Sequence, residues 1–140
     1  MPRVILWLMK YSIFELAYRH VYPAVRRRLV EILYNEYQLT QQEISRLLYI
    51  SQSAASRYKN LARGKLIDLS RFKDIDEEIH RLAEKIVREK PDKYRLVNEL
   101  VRITLKALAR GYICSYHRMI DKDIDPDKCR ICLDLFKDIV

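Results

Sequence analysis

Apolar and polar positions along most of this chain recur with helical spacing. In residues 23–37, Val25, Leu29, Ile32 and Leu33 fall on one face, and Pro23 suits a first helical turn. Residues 14–21 also read as helical. Upstream, Val4, Ile5, Leu6, Trp7 and Leu8 fit a strand or a buried helix equally, because an unbroken apolar run has no period to separate the two. Thr40 followed by Glu43 is a capping box and predicts a helix over 41–48. Tyr49-Ile50-Ser51 interrupts it. Ser51 is placed to cap a second helix from Gln52 to about Arg63, where Gly64 fits a C-terminal stop.

The second half reads as longer helices. Ile75, Ile79, Leu82, Ile86 and Val87 predict one that ends before Pro91. Tyr94, Val97, Val101, Thr104, Leu105 and Leu108 predict another that ends at Gly111. Asp125-Pro126 is a helix-start signal and predicts a short last helix over 127–136. The expected fold class is all-α. With 2 Gly and 4 Pro in 140 residues, the chain also lacks the turn formers that sandwiches and barrels need.

The longest apolar run, Val4 to Met9, lies between Arg3 and Lys10. It is too short for a membrane span or a secretory signal core. A cytoplasmic protein without a membrane partner is expected.

Charge is unevenly divided. Residues 1–67 hold 11 basic and 4 acidic side chains, a balance of +7, and residues 68–140 hold 16 and 15, a balance of +1. A basic half favours a polyanion partner. It coincides with Gln41 to Asn60, where two short capped helices three residues apart predict a helix-turn-helix. Ile44, Leu48, Ile50, Ala55, Tyr58 and Leu61 would face the core. Gln52, Ser53, Ser56, Arg57 and Asn60 would occupy the outer face of the second helix, where side chains of this kind reach base edges in a major groove. Arg26, Arg27 and Arg28 open the preceding helix, where cations oppose the macrodipole, and so read as phosphate contacts. Lys59, Arg63 and Lys65 are further phosphate candidates.

Residues 40–58, above all Ile50-Ser51-Gln52-Ser53-Ala54-Ala55-Ser56-Arg57-Tyr58, resemble the Cro/repressor-type helix-turn-helix. The wider chain is similar to a group of archaeal predicted transcriptional regulators, through Tyr22-Pro23-Ala24-Val25-Arg26 and a tail containing Cys and His. The resemblance implies a sequence-specific regulator that binds double-stranded DNA as a homodimer. The motif usually has Gly where this chain has Tyr49, Val where it has Ala55, and Ala where it has Ser45. Gly serves a left-handed turn there, and Tyr would cost about 1 kcal/mol or more.

The three cysteines all lie between Cys114 and Cys132. Cys114-x2-His117 and Cys129-x2-Cys132 form two pairs that a loop could bring to one ion. Three thiolates and an imidazole suit tetrahedral zinc, and the same set could hold an iron–sulfur cluster. Asp121, Asp123, Asp125 and Asp127 read as a solvated loop, since the Gly and closing Glu of a calcium loop are missing. An odd cysteine count without a secretory signal argues against a disulfide framework.

No phosphate-cradling Gly-rich loop, zinc-protease motif or serine-hydrolase motif occurs, so a binding protein rather than an enzyme is expected. Four segments follow: an apolar start over 1–22 as a candidate dimer contact, a DNA-binding core over 23–67, a long helical pair over 68–111, and the Cys/His tail over 112–140. A metal- or redox-responsive switch and a protein-interaction adaptor are the competing functional readings.

Overall fold

Four side chains mark where helices begin. Ser12, Thr40, Ser51 and Asp92 are extended in backbone, and each accepts a hydrogen bond from the amide three residues on. A new helix leaves each of these caps, because the first amides of a helix have no carbonyl of their own to meet. The computed structural model describes residues 12–60, 64 and 66–139. The apolar run Val4 to Met9, Leu61, Arg63 and Lys65 lie outside the described residues.

Helix α1 is Ile13–Leu16, and a π-helical turn, Ala17–Val21, carries it into α2, Tyr22–Asn35. Two short helices follow, α3 (Gln41–Leu48) and α4 (Gln52–Lys59). A 3₁₀ turn over Leu69–Arg71 leads to the long pair α5 (Lys73–Glu89) and α6 (Lys93–Ala109). The tail adds α7 (Cys114–Ile120) and α8 (Ile131–Leu135). There is no strand among the described residues, so the fold is all-α as the spacing predicts. No described helix is long and apolar enough to cross a membrane.

α2 is the centre of the packing. It touches α3, α4, α5, α6 and the 3₁₀ turn. Its Ala24, Val25, Leu29, Val30, Ile32 and Leu33 are fully buried or nearly so. Ile44, Leu48, Ala55 and Tyr58 join the same core from α3 and α4, as expected, and Ile50 packs against it half-buried. Ile75, Ile79, Leu82 and Ile86 close it from α5. Phe72 stacks on Tyr112 with ring centroids 4.4 Å apart, which joins the start of α5 to the segment after α6.

Several expectations from spacing are corrected. Pro23 does stand in the first turn of α2, but that turn is not a free start, because helical backbone already runs into it from upstream. The amide of Tyr22 reaches back to the Ala17 carbonyl, the wider π hydrogen bond, just before the residue that has no amide to give. α4 ends at Lys59, short of Arg63, and Gly64 is not its cap. Gly64 instead has φ +67° and lies so close to α2 that a Cβ would sit 2.4 Å from the Pro23 carbonyl oxygen. On α6 the buried face is Leu96, Leu100, Ile103, Ala107 and Leu108, while Tyr94, Val97 and Val101 face outward. Both sets obey helical spacing, and the larger aliphatic set wins the core. In the tail, α8 begins at Ile131 rather than at Asp127, because residues 125–128 turn on themselves. There the Asp125 carboxylate accepts from the Asp127 amide, and the Asp125 carbonyl accepts from Lys128 and Cys129. Asp121 is not in a solvated loop either. It is 2% exposed and accepts from the Asp123 amide.

Candidate nucleic-acid interface

The α3–α4 pair is built by its caps. The Thr40 hydroxyl accepts from the Glu43 amide at 3.2 Å, and the Glu43 carboxylate accepts from the Thr40 amide at 3.0 Å, so both halves of the capping box form. The Ser51 hydroxyl accepts from the Ala54 amide at 3.1 Å. Between the helices, Tyr49 is left-handed at φ 56° and ψ 40°. The backbone therefore makes the turn that glycine usually makes. Its side chain supplies what glycine does not, a hydroxyl that donates to the Pro91 carbonyl at 2.9 Å. Ala55 is 1% exposed, which is the close helix packing its small side chain permits. Ser45 is buried with its hydroxyl donated to the Gln42 carbonyl, so the polar group costs the core little.

Gln52, Ser53 and Arg57 are exposed on α4 and Asn60 at its C-cap, and Ser56 is half-exposed with its hydroxyl accepting from the Asn60 amide group at 3.3 Å. Lys59 lies over the Tyr34 ring at 4.1 Å. Arg26 lies over the Tyr22 ring at 4.6 Å. Burial works against the Arg26 charge, but hydrogen bonds to the Tyr58 and Tyr22 hydroxyls outweigh it and raise its pKa. Lys59, at the end of α4, and Arg26, on α2, are thus held at fixed points. Arg46, exposed on α3, completes the set and was not among the sequence candidates. Its place one turn beyond exposed Gln42 is the signal that could have found it.

Arg27 and Arg28 are used inside the fold. Arg27 is 8% exposed; its Nε donates to the Gly64 carbonyl at 3.0 Å and its Nη1 to Glu31 at 3.1 Å. Arg28 grips both carboxylate oxygens of Asp76 on α5, at 2.6 and 3.2 Å, and reaches Glu31 as well. The Asp76 hydrogen bond is the main reason its pKa is raised. Because helical backbone continues upstream of them, these arginines do not sit at a helix N-terminus, and the macrodipole argument for a phosphate role lapses.

The four Cys/His candidates come from two places in the tail. Cys114 and His117 are one turn apart on α7; Cys129 and Cys132 flank the entry to α8. All four line a single small cavity of about 20 Å³, whose other walls include Leu16, Leu108, Ile113 and Ile124. His117 is 5% exposed, and the three thiols are half-buried and unbridged. Burial pushes the Cys132 thiol up to about 11, helped by Cys114 and Cys129, and burial and then Cys129 raise Cys114. As the side chains stand, no three Cys, His, Asp or Glu groups among the described residues form a ready coordination sphere.

Comparison with family models, with curated proteins and with solved structures finds no match to this chain.

Proposed function

We propose that the chain is a sequence-specific DNA-binding regulator of the helix-turn-helix kind. The observation that carries this reading is the capped α3–α4 pair joined by a left-handed residue, with Gln52, Ser53 and Arg57 on the open face of the second helix and Asn60 at its C-cap. Gln and Asn suit adenine, Arg suits guanine, and Ser serves either. Ser56 stands behind them. Arg26, Arg46 and Lys59 are the phosphate contacts in this reading, because among the described residues their charges stand outside the carboxylate ion pairs that hold Arg27 and Arg28. Arg27 and Arg28 leave that role, since their guanidiniums hold Gly64, Glu31 and Asp76. A homodimer would place two such helices in successive major grooves, about 34 Å apart.

Binding of a fluorescent duplex library, followed by selection of the tightest sequences, tests it. Affinity should fall steeply with salt as counterions are released. Arg57→Ala should relax the preference at one base pair, at a cost of about 1–3 kcal/mol for the preferred site, while Lys59→Ala weakens all duplexes alike. A protein-interaction adaptor would show no salt-dependent duplex binding, and that result would remove the reading.

A further inference from the structure

We infer that Cys114, His117, Cys129 and Cys132 bind one zinc ion, which closes the C-terminal tail against the helical core. Two segments with no shared hydrogen-bond ladder deliver four donor side chains to one cavity. Cys114 and His117 share a face of α7 because they are three residues apart. The segment between Ile120 and Ile131 folds back through turns at 121–124 and 125–129, which returns Cys129 and Cys132 to the same spot. The cavity's size is that of a single water-sized occupant. That suits a single ion.

The donor chemistry narrows the metal. Three thiols and an imidazole are soft or borderline ligands, and no carboxylate lines the cavity, so calcium and magnesium are disfavoured and zinc fits. Cysteines serving only as small core residues would be fully enclosed, whereas these three remain half-exposed around a common space. The four side chains do not meet at bonding distance from one point, so the ion must pull the two pairs together. α8 has five residues and no side-chain cap, too little to hold its own shape, and is the element that would gain most. A closed site with four protein ligands is structural rather than catalytic.

Full-length protein purified without chelator tests the inference. The expected result is one zinc per chain by atomic emission. Replacement by Co²⁺ should give the intense visible bands of a tetrahedral thiolate site, with sulfur-to-cobalt absorption in the near ultraviolet. Cys132→Ser should weaken zinc affinity by more than about tenfold, and His117→Cys should retain the ion. Three outcomes overturn it: a chain with no zinc and no cobalt bands, iron with broad visible absorption, or a cobalt spectrum that Cys129→Ser and Cys132→Ser leave unchanged. The wild-type spectrum decides even where a variant fails to fold, and none of these readouts depends on DNA binding.

Discussion

The Tyr49 hydroxyl donates to the Pro91 carbonyl at 2.9 Å across 42 residues of sequence, joining the α3–α4 turn to the α5–α6 turn. A left-handed tyrosine costs about 1–2 kcal/mol; one hydrogen bond returns about 1 kcal/mol. Tyr49→Phe keeps the strain and loses the bond, so it should destabilise the protein by about 1 kcal/mol. Tyr49→Gly loses both and should sit closer to wild type. Urea unfolding of the two variants separates the effects: if Tyr49→Gly is the weaker protein, the tyrosine ring rather than its hydroxyl holds the turn.

Arg27 should behave as a structural residue. Arg27→Ala leaves the Gly64 carbonyl without its partner and Glu31 with Arg28 alone, and should cost about 2 kcal/mol of stability. Arg27→Lys should recover little, because an ammonium cannot make the forked contact. Thermal melts check this. A fully stable Arg27→Ala protein would contradict the assignment and return Arg27 to the candidate DNA contacts.

Gly64 has the left-handed φ and the close approach that exclude a side chain. Gly64→Ala should destabilise by about 2 kcal/mol or more, since the Cβ meets backbone and not a movable side chain. An equilibrium unfolding midpoint equal to wild type would show that the segment re-forms without its contact to Pro23.

Asp68 supplies a pH dependence. Its carboxylate accepts from the Ser70 hydroxyl and amide and faces Arg27, which holds its pKa below the usual carboxylate range. A depressed carboxylate stabilises the fold above its unfolded value and loses that contribution as pH falls through the folded value. Stability should therefore decline below about pH 4, and Asp68→Asn should flatten this part of the profile. Melting temperatures from about pH 7 down to about pH 2 would show an unchanged slope if Asp68 plays no part.

What could be read from sequence was whatever depends on neighbours. The capping box at Thr40 and Glu43 and the cap at Ser51 are contacts over three residues, and both formed as the spacing predicts. The roles of Arg27 and Arg28 could not be read, because Gly64 and Asp76 lie 37 and 48 residues away. The α6 face was ambiguous for a different reason. Tyr94, Val97 and Val101 and the set Leu96, Leu100 and Ile103 are both helically spaced, and only the position of α2 and α5 chooses between them. The tail showed its donor spacing but not α7, whose seven residues have no side-chain cap to announce it. The gathering of all four donors around one cavity was likewise a matter of three-dimensional return of the chain.

Both long helices, α5 and α6, lean on α2, and its inward residues are fully enclosed. The inward residues of α2, α5 and α6 belong to one continuous core. Solvent should reach the amides of Val25, Leu29 and Val30 only when the whole chain opens, so their deuterium uptake would report global unfolding. Amides near the ends of α8 would exchange through local fraying instead. The short helices α3 and α4 thus inherit their rigidity from a partner outside their own sequence, and a fragment containing only those two would lose its shape.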